Sequence, residues 1–191
     1  MTPTAWIIVV AAIVIVGLII VATSWSRSRR SAELKDQFGR EYDRTVEAAG
    51  NRSKAEADLA ERQKRVEKLD IRPLDADERR KFAERWTDVQ ARFVDDPARS
   101  VAFADALLAD VMKARGYPVS DFDRRAGDVS VDHPIVVEHY HKGHEIALRH
   151  ERGEASTEDL RQAMIHYRAL FDNLVGAAAP ASKMRAHEPT H

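Results

Sequence analysis

The sequence predicts an all-α protein: an N-terminal transmembrane helix, a juxtamembrane helix and a small antiparallel helical bundle. Three observations predict it. Residues 5–24 carry no charged side chain. From Ser31 onward, apolar residues recur at spacings of three and four, the helical period. No segment alternates strictly between apolar and polar residues, as a half-buried strand would. The expected divisions are a short extension (1–4), the transmembrane helix (5–25), a basic flank with a charged juxtamembrane helix (26–69), the bundle (70–175) and a disordered tail (176–191).

The apolar run is 20 residues long, about 30 Å as a helix, which matches the hydrocarbon core of a bilayer. Twelve of its residues are Ile, Val or Leu. Together they favour insertion by on the order of 4–7 kcal/mol. Trp6 and Trp25 bracket it, at the depths where amphipathic rings settle. A cleaved leader would place basic residues before the run and small residues around a cleavage site. Here Met1–Thr4 is uncharged and Arg27, Arg29 and Arg30 follow the run, so an uncleaved anchor is expected. By the positive-inside rule, these arginines put the N-terminus outside and everything after Trp25 in the cytoplasm. The same three side chains are candidates for contact with lipid headgroups. Gly17 has no small residue four positions away, so helix pairing through small residues is not expected.

In the juxtamembrane segment, Leu34, Phe38, Tyr42, Val46 and Ala49 form one narrow stripe. Gly50-Asn51 interrupts it, and Ala55, Leu59, Val66 and Leu69 resume it. Unbroken, the segment would extend about 58 Å. The stripe lacks sustained heptads, so packing of one thin face on its own domain is preferred to a coiled-coil seam.

Pro73 ends the helical pattern. Asp75 and Glu78 have the spacing of a capping box. The helix that follows presents Phe82, Trp86, Val89 and Phe93, the strongest aromatic stripe in the chain and a core face. Asp96-Pro97 restarts a helix with Val101, Ala104, Leu108, Val111 and Met112 inward, ended by Gly116. Val119–Val131 is expected to be a loop, with a short helical turn near Asp121–Ala126. Pro134 opens a helix with Val136, Tyr140, Gly143, Ala147 and His150 on one face, closed by Gly153. Ser156 and Asp159 cap the last helix, whose stripe is Leu160, Met164, Tyr167, Phe171 and Leu174.

Composition excludes several chemistries. The chain of 191 residues has 30 basic and 31 acidic side chains, so no basic excess points to nucleic acid. It has no cysteine, which removes disulfides, thiolate metal ligation and thiol catalysis. Neither a phosphate-cradling glycine loop nor a nucleophile elbow is present. Ser130, Asp132 and His133 are neighbours in sequence, but a catalytic triad is a geometry and adjacency does not supply it.

Histidine is the one unusual feature. His133, His139, His141, His144 and His150 fall within 18 residues. On a helix, His141, His144 and Glu145 stand at i, i+3 and i+4, close enough to share a divalent metal such as zinc, with Glu138 one turn before. The spacing is not H-E-x-x-H, and one helix leaves a fourth ligand to be found elsewhere. A polar helix face with one half-buried histidine is the preferred reading. Protonation of clustered histidines near neutral pH is another.

The segments Leu69–Pro97, Arg115–Phe122, Ser130–Pro134 and Ser156–Leu174 resemble a family of uncharacterised bacterial single-pass membrane-anchored helical proteins. That resemblance implies a bacterial inner-membrane location and one helical domain, and brings no catalytic residue. The functional expectation is therefore an anchored interaction or scaffold module, preferred to an enzyme but with enzymatic activity left open. Its partners would be the membrane and another protein, with no nucleic acid and no cofactor. Its alternative is a protein that binds a divalent metal through the histidine-rich helix. A reversed anchor would put the same domain in the periplasm.

Overall fold

A computed structural model describes residues 3–118 and 121–177, with the side chains of 3–16, 19, 20, 23 and 27 outside the description. Among the described residues there are eight helices and no strand. They are α1 (Pro3–Phe38), α2 (Arg40–Ala49), α3 (Arg52–Val66), α4 (Ala76–Arg92), α5 (Pro97–Arg115), α6 (Phe122–Asp132), α7 (Pro134–Glu151) and α8 (Thr157–Gly176). Among the described residues no helix is long and apolar enough to cross a membrane. Most side chains of the expected membrane segment, the side chain of Arg27 and the tail from residue 178 lie outside that description.

The helix boundaries follow local chemistry. Gly39 (φ 51°) and Gly50 (φ 62°) take left-handed backbone that a side chain would strain. They let the chain reverse after α1 and again after α2. The Asn51 side chain then accepts from the Ser53 and Lys54 amides and caps α3. Both expected capping boxes form: Asp75 with Glu78 at α4, and Ser156 with Asp159 at α8. Asp96 caps α5, with Pro97 in its first turn.

The juxtamembrane stripe turns inward on its own protein. Leu34, Phe38, Tyr42, Leu59 and Val66 belong to one continuous core with Trp86, Leu108, Tyr140, Tyr167 and Leu174. The segment is therefore not a rod. It is a folded-back hairpin, α2 against α3, laid on α6 and α7, and residues 31–174 share one interior. α7 is central, touching α1, α2, α5, α6 and α8, and its pairing with α8 is the most extensive in the molecule.

The expected loop over Val119–Val131 is corrected. Residues 122–132 form α6, and Ala126 to Val131 are all buried. Val119 and Ser120 lie outside the described residues. Gly127, Asp128 and Ser130 give the segment the composition of a loop, but each is accommodated by a partner the sequence does not reveal. Asp128 is paired by Arg65 from α3. The Ser130 hydroxyl donates to the Gly127 carbonyl at 2.7 Å. Gly127 lies under the Arg62 guanidinium, 3.3 Å from where a Cβ would stand.

Candidate functional site: a polar interior around α7

α7 carries the histidines, and the structure distributes them among different neighbours. His141 faces α2, with its Nε2 3.2 Å from Glu41 Oε2. Glu41 is itself buried and accepts from Arg62 Nη1 at 2.9 Å, while Arg62 Nη2 reaches Asp58 at 2.7 Å. One turn on, Arg65 holds Asp128 at 2.6 Å. Burial pushes the Glu41 carboxyl up, but His141 and Arg62 together outweigh it and hold it below the usual carboxylate range. The network ties the α2–α3 hairpin to α6 and α7.

His144 also meets α6, whose Phe122 ring lies edge-on to His141 with centroids 5.6 Å apart. The His144 ring stacks on Phe122 with centroids 3.5 Å apart, and Phe122 also packs against Tyr140 at 4.6 Å. Burial lowers the pKa of His144, with Asp105 and Asp123 opposing. Beside it, Arg125 Nη2 lies 3.4 Å from Asp105 Oδ2. The buried Tyr140 and Tyr167 rings meet with centroids 6.1 Å apart, and burial raises both hydroxyls well above the ordinary tyrosine value. Tyr167 reaches this position because residue 143 is glycine. A Cβ there would stand 2.4 Å from the Tyr167 ring.

The expected metal ligands are thus not brought together. His141 turns to α2, His144 stacks on α6, and Glu145 is exposed. Glu138 is occupied by Arg40 at 2.8 Å and Lys142 at 2.7 Å. Among the described residues no group of three His, Asp or Glu side chains is placed to hold a metal. A pair that sequence spacing did not suggest does meet: His139 Nδ1 and His166 Nδ1 are 3.0 Å apart, across α7 and α8. Burial, then His139 and the nearby Lys142 charge, lower the pKa of His166. A cation beside the pair disfavours a second one between the rings. No local pattern could have found this pair, because 27 residues separate its members and only the α7–α8 register joins them.

Of the arginines expected at headgroups, Arg29 and Arg30 are exposed, and the Arg29 guanidinium lies 4.1 Å over the Trp25 ring. On the opposite flank of the bundle, α4 borders two open grooves. One, of about 210 Å³, lies against α5 between Arg85, Val89, Arg92, Phe103 and Leu107. The other, of about 300 Å³, lies against α8 between Arg79, Trp86, Arg168, Phe171 and Val175. The charges of Glu41, Arg62, Arg65 and Asp128 are engaged across α2, α3 and α6.

Comparison with protein families, with characterised proteins and with solved structures yields no match. The reading of this protein therefore rests on its own residues.

Proposed function

We propose that this protein is a membrane-anchored helical interaction module, held with its domain directly against the cytoplasmic face of a bacterial inner membrane. The observation that carries the reading is the continuity of α1. One 36-residue helix begins in the apolar run and ends in the core of the domain. Ser24 closes the uncharged stretch, and Ser31 is already buried against the bundle. Seven residues of helix span about 10 Å. The anchor and the domain then share a rigid element, and the domain has little freedom to swing away from the bilayer. The described side chains of the run are largely bare: Leu18, Val21 and Trp25 are 63–66% exposed, Trp25 with only the Arg29 guanidinium over its ring. An apolar helix left uncovered is at home in lipid.

The face left for a protein partner is α4. It packs on α5 and α8 alone among the more extensive contacts, and its grooves carry both apolar side chains and arginines, the mixture found at interface centres. Crosslinking in intact membranes, followed by affinity purification, tests the module. A stoichiometric partner whose crosslinks map to α4 is expected, and recovery of the protein alone would count against it. A topology reporter fused after Val175 tests the cytoplasmic placement. A signal from the outer side of the membrane would reverse it.

A further inference from the structure

The hairpin that the sequence presents as part of a stalk returns to the level at which α1 leaves its apolar segment. Glu56 Oε1 fixes that level. It accepts from Ser31 Oγ at 2.6 Å, Tyr42 Oη at 2.8 Å and Arg52 Nε at 2.8 Å, so one carboxylate joins α1, α2 and α3. Six residues further along α1, Gln37 accepts from Gln63, seven residues further along α3. The two helices therefore run side by side in the same direction, away from the apolar run. α2 lies between them in sequence and runs back, with Glu41 meeting Arg62 near its start and Tyr42 meeting Glu56.

The α2–α3 turn is consequently at the membrane-proximal end. Arg52 is four residues before Glu56 on α3, about 6 Å nearer the bilayer than Ser31. Ser31 is itself about 10 Å beyond the apolar run, so Arg52 stands within about 4 Å of the hydrocarbon edge, inside the headgroup layer. Arg52, Lys54, Arg29 and Arg30 are all exposed at this end. Glu33, Glu47 and Asp58 are the exposed acids nearby, Asp58 paired with Arg62, while Glu56 is engaged by its three donors. Arg52 bonds the protein through Nε alone and is still 64% exposed. The positive end of the α3 dipole adds to the same field.

We propose that the α2–α3 turn is a lipid-contacting element: Arg52 and Lys54 join Arg29 and Arg30 in a basic collar that binds the phosphates of anionic phospholipids. The proposal rests on the anchored reading above. It makes the hairpin a second point of attachment, which fixes the rotation of the domain on the membrane as well as its height.

The chain has no cysteine, so single labelling sites can be introduced cleanly. The full chain carrying Ser53→Cys or Lys68→Cys, each with a fluorophore, is reconstituted into two kinds of vesicle. One is phosphatidylcholine alone and the other includes phosphatidylglycerol, and both carry a headgroup-attached quencher. In the anionic vesicles the Ser53 site should be strongly quenched, and the Lys68 site, about 20 Å further along, should not. Lys54→Glu should reduce the docked-to-undocked ratio at Ser53 by at least about fivefold, the weight of one basic residue at an anionic surface. Resistance to alkaline extraction reports the anchor separately. Protein that is extracted overturns the anchored reading and the collar with it. Protein that is retained but no more quenched at Ser53 than at Lys68 overturns the collar alone. Equal quenching of Ser53 in both vesicles, unchanged by Lys54→Glu, overturns binding of anionic lipid.

Discussion

At the scale of single residues, the interior separates side chains that hold by contact from those that hold by charge. Among the described residues Trp86 is the largest fully buried side chain, stacked on Phe171 with centroids 4.7 Å apart. Trp86→Ala should cost about 3–5 kcal/mol, because the cavity it leaves cannot close around a fixed Phe171. Urea denaturation measures this, and an unchanged midpoint would remove Trp86 from the energetic core. His133 matters through the charge it does not take. Burial, reinforced by Arg115, lowers its pKa to about 4, against which the hydrogen bond with Asn173 is too weak. An exposed histidine titrates near 6.5. Between these values the unfolded chain takes a proton that the folded chain refuses. Stability from this group is therefore complete above about pH 6.5 and is lost as pH falls towards 4, on the order of 3 kcal/mol in all. Burial lowers His144 and His166 as well, in the same sense. Glu41, with its lowered pKa, contributes separately, and its share is lost only as pH drops below about 4.5. Denaturation curves for His133→Asn between pH 7 and 4 should be flatter than those of the parent. Parallel curves would show that His133 carries no linkage.

At the scale of helices, the pattern of apolar spacing was readable wherever a helix ends on a standard signal. The capping boxes of α4 and α8 and the Asp-Pro start of α5 form as their residues imply. The stripe through Leu34, Phe38 and Tyr42 also packs on its own domain, as the lack of heptads suggested. α6 was not readable, because a buried Gly-Asp-Val-Ser run looks like a loop until Arg62 and Arg65 from α3 are in place above it. The same limit applies to the histidines. Spacing put His141, His144 and Glu145 on one helix, but only the positions of α2 and α6 decide that Glu41 takes up His141 and Phe122 stacks on His144. Contact between α7 and α8 depends on a residue that spacing alone would class as a weak point. Gly143→Ala should push the Tyr167 ring out of its place and destabilise the protein by about 1–3 kcal/mol. The change should be relieved in part by Tyr167→Leu in the same chain. If the two changes prove additive, the close approach of α7 and α8 at this point is not what the glycine serves.

At the scale of the whole molecule, the division of the chain changes. Composition separates a charged segment before residue 70 from the aromatic helices after it, and that contrast places an expected boundary there. The core ignores it: Phe38 and Leu59 are fully buried beside α6 and α7, and the Glu41–Arg62 and Arg65–Asp128 pairs bridge the same line. The folding unit should therefore be residues 31–177 and not 70–175. Without α2 and α3, Asp128 would lose Arg65 and His141 would lose Glu41, leaving a buried carboxylate unpaired, a loss that costs about 3–5 kcal/mol by itself. That is a large part of the stability of an ordinary domain, about 5–15 kcal/mol, before the lost apolar contacts are counted. The fragment 31–177 should give a cooperative urea transition, and the fragment 70–175 should be unfolded or only loosely collapsed. A cooperative transition of equal midpoint from the shorter fragment would show that the hairpin is an accessory laid on a finished bundle. Its attachment to lipid would then be a loose tether. Failure of the shorter fragment would mean that whatever holds the hairpin on the membrane also holds the core.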